Sequence, residues 1–250
     1  MSLLRRLLFG VDVTFDPEWD AWLETDYAHW TAPITADERE RWRDLTGRFV
    51  HLTKWEAAQG LELTERMKVS IGAQATRLLL GTPIDDFPSL GNVLVRRTAA
   101  RITTPRRTKG GVVSGRPHHI AGQAGHDGSI VLVWPNVQRG ARAPLSRTNV
   151  VYHEFAHRLD MSNGSTDGTP PLGGHDHQAR WAEVMQVAYQ RVEQGASILR
   201  GYAATNPAEF FAVATEAFFC QPDELRLHEP VVYSALRAFY RQDPAALTPD

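Results

Sequence analysis

Thr148-Asn149-Val150-Val151-Tyr152-His153-Glu154-Phe155-Ala156-His157-Arg158-Leu159-Asp160 is the stretch from which the rest of the chain is read. Thr148 or Asn149 can cap a helix start, and Val151, Phe155 and Leu159 recur at helical spacing as an apolar stripe. On that helix His153 and His157 stand one turn apart on nearly the same face, so both ring nitrogens can reach one ion. This is the His-Glu-x-x-His zinc signature. Glu154 sits about 100° around the helix, beside such an ion rather than on it. In metal hydrolases a carboxylate so placed takes a proton from the attacking water and hands it to the leaving amine. The bland alternative is two solvated histidines on an amphipathic helix. It leaves unexplained why a buried helix turns two imidazoles and an acid toward a cavity, which is costly unless those groups are used.

Catalytic zinc sites usually hold three protein ligands and keep a fourth position open. Asp160 lies on the same helix, nearly in line with His153, but three ligands from one straight helix seldom converge on a tetrahedral ion. It reads as a supporting group that orients an imidazole or anchors the next loop. His175 and His177 sit in a loop-like Gly173-Gly174-His175-Asp176-His177 run. Glu209 is the stronger choice. In Asn206-Pro207-Ala208-Glu209-Phe210-Phe211-Ala212-Val213, Asn206 reads as an N-cap and Pro207 as the first helical residue. Phe210, Phe211, Ala214, Phe218 and Phe219 make the helix a core element, which holds Glu209 near the interior. Asn-x-x-Glu is equally a capping-box pattern, so the carboxylate could bond back to the Asn206 amide instead. Glu216, two turns on, shares the face and reads as a second supporting group.

These segments resemble a known family. Tyr152 to Asp160 as quoted, Asn163-Gly164, Tyr202-Ala203-Ala204, Asn206 to Val213, Glu216 and Phe218-Phe219 are similar to the Mlc titration factor A family, the glucose-regulated zinc metallopeptidases. The likeness extends over nearly the whole chain, and the segment around Glu209 is also similar to the catalytic domain of anthrax lethal factor. The resemblance implies a zinc aminopeptidase-like enzyme with one Zn2+ per chain, His153, His157 and Glu209 as ligands and Glu154 as general base. It further implies that Tyr202 donates a hydrogen bond to the oxyanion of the tetrahedral intermediate, a role that suits a preorganised phenol. Without the resemblance Tyr202 reads as an ordinary loop aromatic.

At 250 residues, with 42% hydrophobic and 22% charged content, the composition is that of a globular enzyme. A formal net charge of −2 gives no reason to expect direct nucleic-acid binding. The single cysteine, Cys220, excludes an internal disulfide and reads as a small buried hydrophobe, which fits a cytoplasmic location. Leu3-Leu4-Arg5-Arg6-Leu7-Leu8-Phe9 lacks the apolar length of an export signal, because Asp12 and Asp16 follow. No stretch approaches the roughly 20 apolar residues of a membrane span.

The expected fold is α+β and mainly helical, a zincin-like metallopeptidase with a small mixed β-sheet beside the active-site helix. Residues 1–250 read as one domain, helical to about 82 and carrying the sheet and zinc-binding helices from about 83. Residues 37–60 and 64–80 show helical periodicity through Trp42, Leu45, Phe49 and Leu52, then Met67, Ile71, Ala75 and Leu78. Residues 93–95 and 130–134 are short β-type runs, 162–175 a long loop, and 176–194 an amphipathic helix. His119-Ile120-Ala121-Gly122-Gln123-Ala124, ahead of a turn at Asp127-Gly128, is the candidate edge for pairing an extended peptide, a plain hairpin being the alternative.

Two other functional classes compete. In the first, the resemblance implies a regulatory binding protein that sequesters the transcriptional repressor of sugar-uptake genes, the zinc site being latent or structural. Glu154 and Tyr202 favour an enzyme acting on a peptide or protein substrate, since a binding surface requires neither. The second is a closed structural zinc site completed by His175 or His177.

Overall fold

A computed structural model describes residues 15–31, 34–82, 92–99, 129–142 and 147–246. Helix α1 (Pro17–Thr31) starts where Asp16 accepts the Glu18 amide at 2.9 Å. Helix α2 (Ala36–Leu52) opens with a reciprocal capping box between Thr35 and Glu38 and buries Trp42, Leu45 and Phe49. The helical reading to residue 60 needs correcting. The chain turns extended at Thr53 (φ −77°, ψ 132°), Leu52 is exposed, and Lys54–Ala58 is strand β1. Trp55 makes the break by folding back, its Nε1 donating to Val50 O at 2.9 Å and its ring meeting Phe49 edge-on. Helix α3 (Glu65–Arg77), capped by Thr64, buries Met67, Ile71 and Ala75, with Leu78 buried just beyond it.

Strands β2 (Asn92–Arg96) and β3 (Ile130–Val133) complete a three-stranded sheet in the order β1-β2-β3. Trp55 pairs with Val93, and Val93 with Ile130. Among the described residues the sheet is wholly parallel rather than mixed, since α3 crosses over between β1 and β2 instead of a tight hairpin. The proposed edge at His119 to Ala124 and its turn lie outside the described residues, as does the arginine-containing segment from Leu3 to Phe9. Strand β3 is buried throughout and ends one residue before Trp134, which begins α4 (Trp134–Arg142).

The remaining helices are α5 (Val150–Asp160), α6 (His175–Glu193), α7 (Pro207–Cys220), α8 (Pro222–His228) and α9 (Pro230–Tyr240). Helices α5 and α7 pack on each other, the stripe Val151, Phe155 and Leu159 is buried as expected, and Phe155 meets Phe49 of α2 at 5.4 Å. Trp181 of α6 sits 5.7 Å from both Phe211 and Phe239, tying α6 to α7 and α9. One cluster of buried apolar residues runs from Trp19 to Ala245. Cys220 lies within it, and burial pushes its thiol well above the usual range. No helix of the described residues is long and apolar enough to cross a membrane.

Candidate metal centre

Asn149 fixes where α5 begins. Its Oδ1 accepts the amides of Val151 at 3.0 Å and Tyr152 at 3.1 Å, so it is the N-cap. Its Nδ2 donates to Gln74 Oε1 on α3 at 3.1 Å, and its backbone N–H donates to Glu216 Oε2 on α7 at 2.7 Å. The start of the motif helix is therefore bonded to the helices on both sides, and its apolar stripe sets the rotation. That rotation turns His153 and His157 toward α7.

Helix α7 starts as the sequence indicates, with Asn206 accepting the Glu209 amide at 2.9 Å and Pro207 at the first position. The Glu209 carboxylate, however, faces the histidines. Its Oε2 lies 3.1 Å from His153 Nε2 and 3.4 Å from His157 Nε2, and the two Nε2 atoms are 3.2 Å apart. Ligand bonds of 2.0–2.2 Å around a tetrahedral zinc place the donors roughly 3.3–3.5 Å from one another. The observed triangle has nearly that size. Glu209 Oε2 is also buried without a hydrogen bond of regular geometry, as an atom kept for a cation would be. The donor set, two imidazoles and a carboxylate, is one that zinc takes. Among the described residues, His153, His157 and Glu209 form the one cluster of three or more donors able to hold a metal ion.

Glu209 and Glu216, two turns apart on one face of α7, take opposite nitrogens of the same imidazole. Glu216 Oε1 is 2.8 Å from His153 Nδ1, and in the neutral ring this places the proton on Nδ1 and a lone pair on Nε2. Glu216 also accepts from Arg200 Nη2 and is almost wholly buried. Sequence reasoning assigned Arg200 no role. The available signal was a buried acid on an apolar helix face, which demands a cation without saying which one.

Glu154 is buried at 7% exposure on the neighbouring face of α5. Burial pushes its carboxyl up, while His153 and His157 pull it back. Tyr202 lies in the 3-10 turn Gly201–Ala204, half exposed, with its ring centroid 6.1 Å from that of His153. Burial, then the charge and hydrogen bonding of Glu209, raise its phenol to about 12, so it remains a donor at any physiological pH. Asp160 anchors the following loop. Its Oδ2 accepts the Gly168 amide at 3.0 Å, and burial raises its carboxyl above the usual range. Gly168 has φ +78°, and a Cβ there would lie 2.3 Å from Pro207 O, so the loop needs glycine to pass the first turn of α7. His175 and His177, read as loop histidines, are exposed residues of the first turn of α6, which begins one residue ahead of the expected 176–194 helix after Gly174 (φ +89°). Neither belongs to the donor cluster.

The cluster carries a pH prediction. Burial alone would lower the His153 pKa, but Glu209 and Glu216 outweigh it and raise it to about 10. Burial would raise Glu209, but the two imidazoles hold it far below the usual carboxylate range. With no cation bound, His153 thus keeps its extra proton up to about pH 10, and an incoming metal must displace it. Apparent zinc affinity of chelator-stripped protein is expected to rise about tenfold per unit between pH 6.5 and 8, with about one proton released per ion. Calorimetry in buffers of different ionisation enthalpy measures both, and pH-independent binding would contradict a protonated His153.

The family model of the glucose-regulated metallo-peptidase M90 matches residues 5–241. An uncharacterised protein of Synechocystis is 30% identical over 234 residues, spanning 91% of this chain and 85% of its own. Mlc titration factor A of Serratia proteamaculans is 31% identical over 223 residues, spanning 86% of this chain and 84% of its own. Mlc titration factor A of Yersinia pestis is 32% identical over 229 residues, with coverages of 86% and 82%.

Proposed function

Because the chain belongs to the glucose-regulated metallo-peptidase M90 family, we propose that it is a zinc-dependent, aminopeptidase-like hydrolase of peptide bonds. The observation that carries this reading is the convergence of three donor atoms, 3.1–3.4 Å apart, beside a buried acid. His153, His157 and Glu209 would hold one zinc. When bound, the ion supplies Lewis-acid polarisation of a carbonyl and acidification of a water. Glu154 accepts the proton of the water that attacks the carbonyl and passes it to the leaving amine. Its burial suits that task by raising the carboxyl toward the working pH. Tyr202, protonated throughout, donates to the oxyanion. Glu216 holds the His153 ring in place through Nδ1. The core continuous from Trp19 to Ala245 supports reading the chain as one zincin-like domain.

The test is zinc analysis together with hydrolysis of a panel of amino-acid anilides. One zinc per chain is expected, with turnover lost to a chelator and restored by zinc. Chelator-insensitive turnover would sink the reading.

The relatives named Mlc titration factor A favour a second reading, in which the output is capture of a cytoplasmic transcriptional repressor, linked to sugar uptake. Pull-down with the Glu154→Gln variant separates the two, since capture survives that change and hydrolysis does not.

A further inference from the structure

We infer that Arg200 is a positioning residue that clamps the turn bearing Tyr202 to the His153 side of the site through Glu216. The catalytic consequence rests on the peptidase reading; the structural one does not. Glu216, 2% exposed, fastens three places with one carboxylate. Its Oε2 takes the Asn149 amide at the start of α5, and its Oε1 takes both His153 Nδ1 and Arg200 Nη2. Arg200 is the residue immediately before the 3-10 turn Gly201–Ala204, and its carbonyl accepts the Ala203 amide at 2.8 Å. Holding the guanidinium therefore restrains the residue from which the turn starts.

The rest of the turn is held differently. Its far end is fixed by Tyr189, whose hydroxyl donates to Ala204 O at 2.9 Å, and by Ala203, which is fully buried. Tyr202 is 51% exposed, and packing of its own ring does little to hold it. The charge-assisted bond from Arg200 to a desolvated carboxylate is thus a near-end anchor, beside the buried Leu199 that precedes it. A lysine would supply the charge, but as a point charge on a flexible stem. Without Arg200, Glu216 keeps its bonds to His153 Nδ1 and to the Asn149 amide but loses a compensating charge, and Arg200→Lys, which keeps that charge, separates its loss from loss of the clamp.

The test compares wild type with Arg200→Met and Arg200→Lys by amide hydrogen exchange, zinc stoichiometry and steady-state kinetics, each alone and combined with Tyr202→Phe. Losing a charge-assisted anchor is expected to speed exchange of the Ala203 and Thr205 amides about tenfold or more in Arg200→Met, with Arg200→Lys recovering part of the protection. Zinc should stay at one per chain, and kcat should fall about tenfold with little change in KM. In the Tyr202→Phe background the Arg200 change should cost little more, because the group it positions is gone. Unchanged exchange in the turn, or a full additive loss on top of Tyr202→Phe, overturns the inference. If wild type shows no turnover at all, the peptidase reading fails while the exchange measurement still decides the clamp.

Discussion

Replacing Glu154 by Gln is expected to lower kcat by about 10²–10⁴-fold while leaving zinc at one per chain and KM little changed. The amide has the size of the carboxyl but cannot accept a proton at neutral pH, so the change removes the proposed base and little else. The three donor atoms belong to His153, His157 and Glu209 and not to Glu154. Burial already disfavours the charged form of Glu154, so a neutral isostere strips no strongly solvated ion from the site. Steady-state kinetics on an anilide substrate, with metal analysis of the same preparations, checks the result. A variant that turns over within tenfold of wild type would remove Glu154 from the chemistry.

Replacing Glu209 by Ala is expected to weaken zinc binding on the order of 10²–10³-fold, roughly one ligand's share of the binding free energy of a zinc site, and to abolish turnover. Competition against a chromophoric chelator measures the affinity. The result also separates the two readings of Asn206-x-x-Glu209. The Asn206 side chain already caps the helix by accepting the Glu209 amide, a bond the substitution retains, so helix α7 should persist by circular dichroism. If the carboxylate served only as a cap, zinc affinity would be unmoved.

Much of this site is legible locally. Asn149, Asn206 and Pro207 are where helix-start rules put them, and the apolar stripes on α5 and α7 decide which side of each helix faces the core. The role expected of Tyr202 rests on family resemblance, and the structure adds that its ring centroid lies 6.1 Å from that of His153. Strand β1 was not legible. Lys-Trp-Glu-Ala-Ala is a run a helix accepts, and its extended form depends on pairing with Asn92–Arg96. By contrast, the helix expected at 176–194 is α6 (His175–Glu193), displaced by one residue at each end, because its apolar period is local.

The sequence by itself determined that two imidazoles and an acid share one helix, because the 3.6-residue period converts a spacing of four into proximity without help from the rest of the chain. It also determined that Glu209 and Glu216 share one face of another helix, by the same arithmetic. Only the tertiary structure decided that these two carboxylates grip opposite nitrogens of His153, and that Arg200 completes the buried charge on Glu216. Those contacts depend on how α5 and α7 are rotated and offset against each other, which is set by packing of Val151, Phe155, Leu159 and the phenylalanines of α7 and by the Asn149 bonds, and no local pattern encodes it.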